Sequence, residues 1–239
     1  WAQAGAGALA TQAFANLSYG PNGLDLLRSG RAAADVIAEP TAPDAMAAQR
    51  QIGVVRADGD AATFTGAECM DWAGGRTGDG YAAQGNILTG PETIDAMCDA
   101  FESAGGDLAA RLLAALQAGD SAGGDRRGRQ AAGLIVVSPA GGYGGTTDVV
   151  VDLRVDDHPD PCTELARLLD LHRLYFDKPT AEDLIPIDAT LASEIQRRLA
   201  AQGYDVAATG EYDQATHRAL ERFAGWENLE ERLVDGPLL

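Results

Sequence analysis

Cysteine, positive charge and long apolar runs are all scarce in this sequence. The cysteines are Cys69, Cys98 and Cys162, odd in number, far apart and without a CxxC pair. That excludes a disulfide framework and a zinc site read from spacing, and leaves reduced thiols as the expectation. Lys and Arg total 18 against 36 Asp and Glu, for a net charge of -18. Such a surface repels phosphate backbones and anionic lipid, so neither nucleic acid nor a membrane is an expected partner. No apolar run is long enough to span a bilayer. No charged segment followed by an apolar one stands at Trp1, so no signal peptide is visible and the expected location is cytoplasmic. An export signal upstream of Trp1 would change that expectation. What remains is ordinary for a globular chain: 46% hydrophobic, 23% charged, and 239 residues, enough for one large domain and one small.

Periodicity divides the chain into elements. Residues 1–20 are small, apolar and uncharged, and read as a buried strand followed by a helix start. Leu24, Leu27, Ala34 and Ile37 predict one helix over 21–38, broken by Pro40 and Pro43. "QIGVVRA" (51–57) and "AATFTG" (61–66) flank "DGD" as a hairpin does, and a strand at 80–88 follows a glycine-rich connection. Ile94, Met97, Cys98 and Phe101 mark a helix at 91–102; Leu108, Leu112, Leu113 and Leu116 mark another at 107–118. The strand "AGLIVVS", the half-buried strand "TDVVVDLRVDD" and a helix at 160–176 complete the main region. Helices do not alternate one per strand, which predicts α+β with an antiparallel sheet and helices in layers. A proline-containing linker at 177–190 leads to a small helical unit. It has Leu191, Ile195 and Leu199 on one helix, Asp213 as N-cap of the next, and Leu220 and Phe223 in its core.

"WAQAGAGALATQAFANLSYGPNGLDLLRSG", "GAECMDWAGGRTGDGYAAQGNIL", "GDSAGGDRRGRQAAGLIVV" and "DLRVDDHPDPCTELARLLDLHRLYF" resemble the DUF1028 family, assigned to the Ntn hydrolases, over 1–176. Residues 191–239 resemble a small domain described as peptidoglycan-binding, matching at Leu191, Ile195, Leu199, Gly203, Tyr204, Gly210, Thr216, Leu220 and Phe223. The resemblance implies a four-layer αββα sandwich. It also implies amide hydrolysis by an N-terminal Thr, Ser or Cys whose own α-amine takes the proton. The sequence departs from the family at its start: two strands and a hydroxyl residue are expected ahead of Trp1, and indole is no nucleophile. The implied consequence is a homo-oligomer, or association with an N-terminal fragment, to cover exposed sheet edges.

The sharpest local feature is "GGDRRGRQ", residues 123–130. Arg126, Arg127 and Arg129 between glycines suit bidentate capture of a carboxylate, with Asp125 orienting an arginine and Gln130 beside them. The alternative is that they pair with the surplus acids. Arg129, next to the strand, is the expected binder, facing Asn86 if 84–86 and 129–134 lie on neighbouring strands of one sheet. Asn86, with Gln84 two residues earlier, is the candidate oxyanion donor. Cys69 is disfavoured as a nucleophile for want of a nearby His. Asp156, Asp157 and His158 diverge along a strand and are disfavoured as metal ligands. His172 and His217, within amphipathic helices, read as structural. The chemistry needs no metal or cofactor. The resulting expectation is an Ntn-type amidohydrolase acting on a small anionic amide. The alternative is a non-catalytic binder that recognises cell-wall ligands through its C-terminal unit.

Overall fold

The computed structural model describes residues 1–234 and 236. The chain divides into two units, Trp1–Leu168 and Leu169–Leu239. The first is mixed α/β. It opens with β1 (Ala2–Gln3) and β2 (Gly7–Ala13), then α1 (Tyr19–Arg28) and α2 (Ala33–Thr41). β3 (Arg50–Arg56) and β4 (Ala61–Thr65) follow, and the four strands form one antiparallel sheet in the order β1-β2-β3-β4. β5 (Gly74–Gly78) and β6 (Tyr81–Gly85) make a two-stranded sheet, α3 (Glu92–Ser103) and α4 (Leu108–Ser121) a helical layer, and β7 (Ala132–Val137) and β8 (Val149–Val155) a third sheet. α5 (Pro161–Phe176) follows, and the dividing point between the units falls within it.

Side-chain alternation sets the layers. Leu9 pairs with Val54, which pairs with Ala62; Ile52 pairs with Phe64. All five belong to one apolar cluster with Tyr19, Leu27, Val36 and Ile37 of α1 and α2. This face of the sheet is therefore capped by helices. The opposite face carries Ala10, Gln12, Gln51, Gly53, Thr63 and Thr65, in register across β2, β3 and β4. It packs on β5 and β6, not on helices. β6 repeats the logic: Tyr81 and Ala83 face Ile94, Cys98, Phe101 and Ala115 of α3 and α4, while Gln84 turns the other way, onto Gly53. The order of layers is α1/α2, the β1–β4 sheet, β5/β6, then α3/α4.

Four elements differ from the sequence reading. The single helix expected at 21–38 is two, because Gly30 takes φ 81° and its N–H and that of Arg31 close back onto the Leu27 and Leu26 carbonyls. Pro40 lies inside α2 instead of ending it; it falls in the last turn, where Thr41 Oγ1 bonds the Ile37 carbonyl at 2.7 Å. The first twenty residues form two strands before their helix. The glycine-rich connection is the strand β5. In addition, β6 and β7 belong to different sheets, so 84–86 and 129–134 are not on neighbouring strands of one sheet.

The second unit holds α6 (Ala189–Ala201) and α7 (Gln214–Trp226). Asp188 and Asp213 are N-caps, accepting from the N–H groups of Leu191 and Thr216, both at 2.8 Å. Ile195, Leu199, Ala219 and Leu220 form the core. Gln196, fully buried between the helices, donates to Thr216 Oγ1 (2.8 Å), the Glu211 carbonyl (2.8 Å) and Thr209 Oγ1 (3.2 Å), and accepts from Gly210 N–H (3.0 Å). Every polar atom of this buried amide is paired. Among the described residues, no helix is long and apolar enough to cross a membrane.

Candidate functional site

The inner faces of the two sheets in the first unit hold a group of side-chain amides that is not satisfied in this way. Gln51 is fully buried, and its Nε2 donates to the Gly85 carbonyl (2.8 Å), Thr65 Oγ1 (2.9 Å) and the Gly74 carbonyl (3.1 Å). Carbonyl oxygens only accept, so these partners fix which end of the amide is nitrogen. The oxygen, Oε1, is left buried with no partner. Gln12, opposite Gln51 on β2, behaves alike: Nε2 donates to the Gln84 carbonyl at 3.4 Å and Oε1 is unpartnered. Gln84 Oε1 and Asn86 Nδ2 complete the set of buried unpaired side-chain atoms among the described residues. Three acceptors and one donor thus stand open around the β3–β6 contact.

Local sequence makes room for them. A Cβ on Gly53 would lie 2.0 Å from Gln84 Oε1, so only glycine lets the amide lie across β3. A cavity of about 370 Å³ reaches Gln84 and Ala10, and its other walls are apolar, including Met97, Phe101, Leu112 and Ile135.

The arginine loop approaches this region through its backbone. Leu88 bridges Asp125, and Arg126 N–H donates to the Ile87 carbonyl at 2.8 Å, so the loop runs one residue from Asn86. Asp125 accepts from Arg127 Nη2 at 2.6 Å and from Arg127 Nε at 3.0 Å. That guanidinium holds the Asp125 carboxyl below its usual range, aided by the Arg127 N–H. Arg129 Nε donates to Asp120 Oδ1 at 2.6 Å, and that bond raises the arginine further. Arg127 and Arg129 are thus shared with carboxylates, and both are about half or more exposed, at 70% and 48%. Arg126 is exposed and makes no ion pair among the described residues. Gln130 is exposed, and its carbonyl accepts from His158 N–H at 2.8 Å.

Other candidates resolve differently. The Cys69 thiol donates to the Arg50 carbonyl at 3.3 Å and is pushed up by burial, the reverse of an activated thiolate. Asp160 accepts from Thr163 N–H at the start of α5, and His158 Nδ1 accepts from Asp160 N–H. Sequence reasoning missed a second buried network. Asp44 accepts from Tyr19 OH (2.7 Å), Arg50 Nε (2.9 Å) and Asn16 Nδ2 (3.2 Å), while Arg50 also donates to the Phe14 carbonyl. Arg50 holds the Asp44 carboxyl far below its usual range, and burial with the Asp44 contact pushes Tyr19 up to about 12. These bonds tie the ends of β2, α1 and β3 together, so the network is a clamp.

A family model described as "Family of unknown function (DUF1028)" matches residues 1–165. The chain belongs to DUF1028. The crystal structure of protein SPO2555 from Silicibacter pomeroyi, also DUF1028, is 33% identical, with 71% of each chain covered and a TM-score of 0.64. No curated protein matches. Residues 175–238 match a second model, described as "Putative peptidoglycan binding domain". In this DUF1028 chain, Gln12 and Gln51 went unread as site residues. Their signal was the spacing Gln51, Gly53 on one face of β3: a polar, then empty, position where an apolar pair would fill a sheet–sheet core.

Proposed function

We propose that this chain is part of an Ntn-type amidohydrolase that cleaves the C–N bond of a small amide, with the site between the β1–β4 sheet and β6. The observation that carries the reading is the set of four buried, unpaired amide atoms on facing sheets. Leaving one such atom unpaired costs about 1–3 kcal/mol, so grouped exceptions call for an explanation such as a ligand that pairs them. A substrate amide has the complementary pattern. Its N–H suits the Gln oxygens, and its carbonyl suits Asn86 Nδ2, which would stabilise the oxyanion as the carbonyl is attacked. The helix–sheet–sheet–helix order of layers supports the αββα sandwich that the family resemblance implies. Arg126, uncommitted and one residue along the loop bridge from Asn86, would take a substrate carboxylate. The Cys69 thiol, pushed up by burial, does not suit the role of nucleophile.

The test uses the whole gene product with a panel of N-acyl amino acids, following released amine. Asn86→Ala should lower kcat about 10²-fold with little change in KM. Arg126→Ala should raise KM about tenfold for carboxylate-bearing amides only, the loss of one charge-assisted contact. A panel without any turnover overturns the reading. A second reading concerns the C-terminal unit, where the match at 175–238 favours binding to cell-wall glycan.

A further inference from the structure

Tyr204 follows α6 directly, its N–H closing onto the Leu199 carbonyl at 3.1 Å. The ring meets Phe223 of α7 edge-on at 6.3 Å, and the Arg222 guanidinium lies 5.6 Å over it. Together with Gln202, Trp226 and Glu227, these residues line a cavity of about 300 Å³ that is open to solvent. Two of its members are out of place on a surface with no ligand. Trp226 is 82% exposed, although indole is among the side chains most favoured by burial. Arg222 makes no ion pair among the described residues, in a chain where acids outnumber bases 36 to 18. Its N–H groups have no carboxylate partner among the described residues, so the guanidinium beside Tyr204 is open to an anion.

We propose that this groove binds a pyranose that carries a free carboxylate, as a muramyl residue does where its lactyl group bears no peptide. The inference rests on the reading of residues 175–238 as a glycan-binding unit and assigns its contact residues. Trp226 stacks on the C–H face of the ring, as an exposed flat aromatic with only two side-chain torsions can at low ordering cost. The Arg222 fork takes the carboxylate, and Gln202 and Glu227 meet hydroxyl or acetamido groups. A neutral sugar uses only part of this set.

The experiment titrates the full chain by calorimetry with N-acetylmuramic acid and with N-acetylglucosamine, which lacks the lactyl carboxylate. A parallel sedimentation assay uses insoluble peptidoglycan. N-acetylmuramic acid should bind at least tenfold more tightly. Arg222→Ala should remove that preference, Arg222→Lys should restore only part of it, and Trp226→Ala should weaken both sugars at least tenfold. Both side chains are exposed, so neither change threatens the fold. Retained sedimentation with unchanged sugar binding in both alanine variants overturns the site and leaves the glycan reading standing. No sedimentation and no sugar binding by the parent chain overturns both. Equal binding of the two sugars overturns the carboxylate assignment.

Discussion

Gln51 and Gln84 are the same residue type on facing strands, and one substitution in each separates a structural amide from a poised one. Gln→Met keeps length and approximate volume in both places. Each change removes a buried, unpaired Oε1, so that relief is common to the two variants. They differ in what the nitrogen end does. Gln51 Nε2 lies within hydrogen-bond distance of three acceptors, whereas the Gln84 side chain makes no hydrogen bond among the described residues. The nitrogen carries two N–H groups, so the three contacts amount to two hydrogen bonds, one of them shared. A neutral hydrogen bond is worth about 1 kcal/mol net, so Gln51→Met should be about 2 kcal/mol less stable than Gln84→Met, within a range of about 1–3. For a unit of this size that is roughly 4–8 °C in Tm. Gln84→Met should itself be as stable as the parent or more so, by up to about 1–3 kcal/mol, since it replaces an unsatisfied acceptor with an apolar tip. Urea unfolding in a Trp226→Phe background reads the first unit alone, through Trp1 and Trp72. Two variants unfolding within about 0.5 kcal/mol of each other, a difference too small for even one hydrogen bond, would refute the argument. Under the proposed function Gln84→Met also loses activity while gaining stability, a combination that a purely structural residue does not give.

Three further outcomes follow from particular contacts. Gly53→Ala should cost about 1–3 kcal/mol by overpacking, because its methyl meets the Gln84 amide; adding Gln84→Ala should recover most of the loss in a double-mutant cycle, and failure to do so rejects the contact. Asp44 has a depressed carboxyl, so its contribution is complete above the ordinary carboxylate range and fades only as pH falls through the lower folded value. The stability gap between parent and Asp44→Asn should therefore stay constant above about pH 5 and narrow progressively as pH falls below about 4, as read by thermal melts across that range. In the second unit, Gln196→Leu removes a fully buried amide with four hydrogen-bond partners and should cost about 2–4 kcal/mol, followed by hydrogen exchange at the α6 and α7 amides; a neutral result would show the amide hub to be dispensable.

The helices and most strands were legible because apolar spacing dictates them. The expected helix at 91–102 is Glu92–Ser103, and the expected strand at 51–57 is Arg50–Arg56. The misses have a common physical cause. β5 is Gly-Gly-Arg-Thr-Gly, with no apolar alternation to read. It is a strand because its small residues let it approach β4 closely: a Cβ on Gly75 would stand 2.6 Å from Thr63 Oγ1. Gln51 opens an apolar run and so looks like a strand end, when it is among the most buried side chains of the first unit. The rule that polar residues mark exposure fails where two sheets face each other over amides. Asn86 and Gln84 drew notice from the polar "QGN" stretch alone, whereas their partners Gln12 and Gln51 lie 72 and 33 residues or more away and meet them only through sheet packing. Arg127 and Arg129 show the converse. A guanidinium cluster was plain in sequence, but its engagement with Asp125 and Asp120 depends on how the loop closes after α4.

The contrast between the two units sharpens what the amide cluster means. Gln196 and Gln51 are both fully buried glutamines whose amide nitrogen has three acceptors within hydrogen-bond distance. Gln196 also has its oxygen paired, by Gly210 N–H. The fold is therefore able to satisfy a buried glutamine completely when it serves only to join elements. Around Gln51 the same chain leaves three amide oxygens and one amide nitrogen open, on residues drawn from β2, β3, β6 and the turn after β6. Apolar replacements of equal volume would fill that space at lower cost. A structural explanation accounts for the nitrogen ends of Gln51 and Gln12, which pin β6 to β3 and β2, and leaves the four open atoms without a role. A ligand with its own N–H groups and carbonyl gives them one.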